Sequence, residues 1–196
     1  MRTMKKMMLL AIMAVLGLQA KAQSSSTTGW STVGVEYLPM TMDFGNLGST
    51  SFSGFALNYT NAIGLTSDVP LFLEWGVGAQ YTYKSKNDVT IQCASLKVPV
   101  NLLYNFQLPD TKVNLAPYVG LKFRGNVWGE ASVEDESWNL FGDEMDCKRF
   151  QVGWNIGVKA RFNDKMFIGV GYGSDFNEFA DGTKISEVSL QLGIVL

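Results

Sequence analysis

From Trp30 to Leu196 the apolar residues recur at every second position. That regularity restricts the chain to extended strands, because a helix would gather the same residues at every third or fourth position. The clearest run alternates Leu71, Leu73, Trp75, Val77, Ala79, Tyr81 and Tyr83 with Phe72, Glu74, Gly76, Gly78, Gln80 and Thr82. Eight such segments are legible, near 30–38, 52–61, 71–83, 93–106, 113–127, 149–162, 166–175 and 187–196. In none of them does a charge fall on the apolar face.

The position of the charges decides which way a closed sheet would be turned. A soluble barrel or sandwich buries its apolar face and shows charges on the other, whereas here the charged face also carries Gly34, Gly54, Gly76, Gly78, Gly120, Gly153, Gly157, Gly169 and Gly171. Small residues suit the crowded inside of a narrow cylinder, and eight strands make a cylinder that side chains fill. The expected fold is therefore all-β: an eight-stranded antiparallel up-and-down transmembrane β-barrel with a polar interior, its apolar face turned to lipid. Tyr59, Trp75, Tyr104, Phe106 and Phe162 fall at one end of their strands and Tyr37, Tyr81, Tyr83, Phe150 and Tyr172 at the other, as two interfacial girdles would. A secreted lipocalin-like carrier with an apolar pocket is the soluble alternative.

Residues 1–22 read as a cleaved N-terminal signal peptide: a basic start (Arg2, Lys5, Lys6), an apolar run from Met7 to Leu18, and the triplet Ala20-Lys21-Ala22. The apolar run is short of the roughly twenty residues that span a bilayer as a helix. Residues 23–196 are then one barrel domain. Four of the 16 basic residues lie in the leader, so against 18 acidic residues the mature protein is acidic, which argues against a nucleic-acid partner. With both termini on the periplasmic side, the turns there are 62–70, 107–112 and 163–165, and the outer loops are 39–51, 84–92, 128–148 and 174–186. Pro99 and Pro117 each remove a ladder donor and predict a bulge or distortion in the fourth and fifth strands.

Leu96-Lys97-Val98-Pro99-Val100-Asn101-Leu102, Ala116-Pro117-Tyr118-Val119-Gly120, Gly169-Val170-Gly171-Tyr172-Gly173 and the apolar last strand resemble the porin-like outer-membrane β-barrel domain family. The resemblance spans essentially the whole mature chain. It implies a small barrel like those of OmpA and OmpX in a Gram-negative outer membrane, in contact with lipid and lipopolysaccharide and inserted by the barrel-assembly machinery. It also implies a family whose members mostly have no assigned activity. Leu196 ends the chain where many such barrels end in an aromatic residue.

Three groups of residues bear on function. Lys97, Lys122, Arg124, Lys159 and Arg161 lie on the interior face of strands four to six, and Glu36, Glu74, Asp175 and Glu187 on that of strands one, three, seven and eight. Buried ions are costly alone, so these are expected to pair across the lumen and plug it, Glu74 near Lys159 and Arg161, and Glu36 or Glu187 near Lys122 and Arg124. The alternative is a narrow porin-like channel for small solutes or ions. Cys93 and Cys147 are both placed at the extracellular rim, where an oxidising compartment permits a disulfide. The 128–148 loop combines seven acidic residues with Trp128, Trp138 and Phe141; it reads as a solvated loop or as a place where these aromatics touch a partner, and it lacks EF-hand spacing.

The chain contains no histidine. A His-activated nucleophile or water is thereby excluded, and most zinc chemistry with it. The glycines at 169, 171 and 173 lack the spacing of a nucleotide loop. No enzymatic activity, cofactor or metal is expected. The expected function is a monomeric barrel in an envelope-integrity or surface-interaction role.

Overall fold

A computed structural model describes residues 29–45, 48–86, 89–133, 136–142, 145 and 147–196. The leader lies outside the described residues, as do Glu134, Asp135, Asp143, Glu144 and Asp146 of the acidic loop. Ten strands form one antiparallel sheet: β1 (Trp30–Asp43), β2 (Ser49–Gly64), β3 (Leu71–Lys86), β4 (Val89–Tyr104), β5 (Phe106–Gln107), β6 (Val113–Val133), β7 (Glu136–Asn139), β8 (Phe150–Phe162), β9 (Met166–Asp175) and β10 (Lys184–Val195). Each long strand pairs with its sequence neighbours, β4 with β6 across the short β5, and β1 pairs with β10 to close the ring. The result is an eight-stranded up-and-down barrel, with β5 and β7 as short additions along β6.

The alternation settles the direction of each face. Leu57, Val119 and Ile156 are 59%, 53% and 50% exposed, while Glu74 and Arg124, on the opposite face, are 1% and 4% exposed. The apolar face therefore looks outward, and closure pairs the backbone groups that lipid cannot satisfy. No helix among the described residues is long and apolar enough to cross a membrane; the crossing is made by strands.

The ionic clusters of the lumen lie at mid-height, with an apolar cluster on either side. Toward the end of the barrel where β1 begins and β10 finishes, Ala62, Phe72, Leu103, Ala116 and Tyr118 form a buried cluster against which Trp30 packs. Phe72 and Leu103 are register partners, which explains why Leu103 breaks the alternation of its strand. Toward the opposite end Leu38, Met40, Ala56, Phe179 and Ile185 form a second cluster. The polar interior expected from the sequence thus holds its ionic clusters between two apolar ones.

The upper cluster also accounts for the loops. On β1 the apolar residues switch from Val33, Val35 and Tyr37, which face lipid, to Leu38 and Met40, which face inward. Alternation on one face ends there, but the strand does not, and β1 pairs with β2 to Asp43 and Ser49. The outer loops expected at 39–51 and 84–92 shrink to the links between Asp43 and Ser49 and between Lys86 and Val89. The 128–148 segment is largely sheet, since β6 continues to Val133 and returns through β7.

The prolines act differently from expectation. Pairing of β3 with β4 skips the level of Pro99 without changing register, and Pro117 stays in register opposite Val158. The bulge falls instead between Ala94 and Ser95, where the β6 partner jumps from Trp128 to Asn126 and leaves Val127 unpaired. Its consequence is a reversal of facing on β6, so that Asn126 and Gly129 both point inward.

Candidate functional site

The nine charges predicted for the lumen lie on seven strands, and the barrel's closure brings eight of them into three clusters. In the first, the ammonium of Lys97 on β4 meets the carboxylate of Glu36 on β1. Asn58 donates to Glu36 Oε2 at 3.0 Å and Gln191 to Oε1 at 3.2 Å. In the second, Lys159 of β8 donates to Glu74 Oε2 of β3 at 2.6 Å. Asn101 donates to Glu74 Oε1 at 2.9 Å and Thr60 to Oε2 at 3.2 Å, so the carboxylate has a partner on each oxygen. Asn155 extends the network by donating to Asn101 Oδ1 at 2.9 Å.

The third cluster joins two bases to two acids. Lys122 stands 2.8 Å from Glu187 and 3.4 Å from Asp175. Arg124 pairs with Asp175 through one terminal nitrogen and stands 3.4 Å from Glu187 through the other. The guanidinium fork suits two carboxylates on adjacent strands, and charge-assisted bonds of this kind are the stronger ones. All four side chains are buried, so the attraction acts in a medium of low dielectric.

Arg161 departs from the expected pairing with Glu74. It lies nearer the end where β1 begins, its guanidinium carbon 3.7 Å from the centre of the Trp30 ring, and it donates to Asn105 Oδ1 at 3.2 Å. Its nearest acid is the exposed Asp164, at 3.8 Å. The reason is register: Arg161 faces Asn114 and Phe167 at the strand end, one interior step below Lys159. The space this layer needs comes from Gly157 and Gly171, register partners that leave room for the Tyr118 ring. A Cβ on Gly157 would stand 2.5 Å from the Tyr118 hydroxyl.

At the opposite end the two cysteines line one chamber, but no disulfide joins them. Cys93 points inward from β4, its Sγ 3.6 Å from the Ser95 hydroxyl and 3.7 Å from Asn126 Oδ1. Cys147 sits on the descending loop, where its backbone amide donates to the Leu140 carbonyl at 3.2 Å. Of the three loop aromatics, Trp128 is exposed and Trp138 half-buried on the β6–β7 hairpin beside Ala131. Phe141 instead turns onto Phe179, edge to face at 6.2 Å, with Arg149 4.8 Å from its ring centre. Sequence reasoning missed the neutral partners Asn58, Thr60 and Asn101, which alternate like any interior polar residue, and the apolar chamber above, whose only signal is the change of phase at Leu38 and Met40.

Solved structures share this architecture. Neisserial surface protein A superposes with a TM-score of 0.57 at 14% identity, over 86% of this chain and 99% of that one. Ail, the attachment invasion locus protein of Yersinia pestis, gives 0.53 at 14% identity, over 87% and 100%. The outer membrane enzyme PagL gives 0.50 at 19% identity, over 85% and 99%. Among curated proteins none matches the chain in sequence. With lipid-facing strands, a charged lumen and a family match over residues 8–195, the chain belongs to the outer membrane protein beta-barrel domain family and resides in the outer membrane of a Gram-negative bacterium.

Proposed function

We propose that this barrel is closed to solutes, without enzymatic activity, and serves envelope integrity or surface interaction through the part of the sheet that stands above the membrane. The observation that carries the reading is the filled mid-section. The three ionic clusters leave about 60 Å³ of free space among them, room for a handful of waters at roughly 10–15 Å³ each. Beneath them Phe72, Leu103 and Tyr118 are packed together. Eight-stranded interiors are filled by side chains, whereas much wider barrels keep a channel. The exposed β6–β7 hairpin, with Trp128 on its flank, offers the surface for contact. Export by a leader ending at Ala22 belongs to the same reading.

Conductance tests it. The purified chain in planar bilayers is expected to show no steady open level, and Glu187→Gln, which removes one of the two acids facing Lys122 and Arg124, is expected to produce at most brief openings. A stable open level in the wild-type chain that Arg124→Glu abolishes would instead establish a narrow anion-selective pore.

A further inference from the structure

Above the charged layer the lumen widens into a chamber of about 250 Å³. Its wall is apolar, formed chiefly by Met40 and Met42 of β1, Phe52 of β2, Ile91 of β4, Ile185 of β10 and Phe179. Gln80 and Asn126 lie among its lining where the chamber meets the charged layer, and Gln80 donates to the Met40 sulfur at 3.6 Å. Protein interiors pack with few voids larger than a water. Apolar cavities of roughly 150 Å³ take up benzene-sized guests, so a larger one with this lining has the size and character to hold an alkyl or aryl group.

The charges around the chamber narrow the guest further. Among the described residues no aspartate or glutamate lines it, while Lys84 and Arg124 do. Arg124 is already matched by Asp175 and Glu187. Lys84, half-buried at the top of β3, donates to the Thr50 hydroxyl and forms no ion pair with a described residue. Of the head groups a guest could bring, an anionic one is the kind that Lys84 and Arg124 favour.

We propose that the chamber binds an amphipathic monoanion, a medium-chain fatty carboxylate whose chain lies among Met40, Met42 and Ile91 and whose head rests on Lys84. The site is independent of whether the mid-section conducts, because the guest stops at the Gln80 level.

The test uses the chain in lipid nanodiscs, labelled with methyl-¹³C methionine and followed by NMR. Met40 and Met42 report on the chamber, and Met166, exposed on the lipid-facing surface, reports on partition into the bilayer. Decanoate is expected to shift Met40 and Met42 saturably, with affinity rising about fourfold per methylene from hexanoate upward. Methyl decanoate, which stands for an acyl chain esterified in a lipid, is expected to bind about tenfold more weakly. Lys84→Met is expected to erase that difference without weakening methyl decanoate. Ile91→Trp, which fills the chamber, is expected to abolish both sets of shifts. Equal affinity of the two probes for the wild-type chain, a preference that survives Lys84→Met, or shifts confined to Met166 would overturn the proposal.

Discussion

Glu74 shows what a single residue contributes here and how its role is tested. It is 1% exposed and its carboxylate meets Lys159, Asn101 and Thr60. Removing one member of such a pair strands the other in a low-dielectric medium, at a cost of about 3–5 kcal/mol, whereas replacing both with apolar residues of similar size is often neutral. Glu74→Gln is therefore expected to lower unfolding stability in lipid vesicles by about that amount, and Glu74→Leu with Lys159→Met to recover most of it. Denaturant titration followed by tryptophan fluorescence checks both. The charged residues were legible in the sequence because alternation places each on the interior face. The grouping was legible only in part: Glu74 and Lys159 meet at the expected height, but Arg161 finds Trp30, since strand stagger and an aromatic at the barrel's entrance leave no mark on the periodicity.

At the scale of the element, the membrane-crossing parts of the strands follow from the alternation, and their ends do not. β1 and β2 run beyond the reach of the pattern because Leu38 and Met40 turn the interior apolar above the charged layer. The β6 bulge was likewise invisible, since Val127 and Trp128 are apolar neighbours that each have an outward-facing place. Turns are better marked. Asn163 and Asp164 both have φ of 51°, and Lys165 N donates to the Phe162 carbonyl at 3.0 Å, a type I′ turn. Asp164 bears an L side chain in a left-handed conformation that glycine adopts without strain, and its ion pair with Arg161 is exposed and long, hence worth little. Asp164→Gly is expected to raise stability by roughly 0.5–1 kcal/mol, measured as a higher denaturant midpoint with an unchanged slope.

For the whole molecule, the decisive property is the inversion of a soluble protein's surface, with aliphatic side chains outside and ions within. A charge placed on the outer face at the middle of a strand must then enter hydrocarbon. Ile156 lies at the centre of β8 and faces lipid, so Ile156→Arg is expected to cost about 2–4 kcal/mol. Ser53→Arg, near the start of β2 and away from the middle of the barrel wall, is expected to cost far less. Reversible unfolding from lipid vesicles measures both, and equal costs would mean that the outer face does not meet hydrocarbon.

The arrangement of the ion pairs also constrains how the barrel is made. Each acid comes from β1, β3, β9 or β10 and its base from β4, β6 or β8, with Glu74 and Lys159 separated by 85 positions and Arg124 and Glu187 by 63. Asp175 stands in line with Lys122 across Gly153 of β8, so this cluster needs only β6 to β10 side by side; until the first and last strands meet, however, β1 and β10 have open edges, which hydrocarbon does not tolerate. It is the closing of the β1–β10 seam, and not the pairing of the charges, that denies a partly threaded chain a resting place in the bilayer.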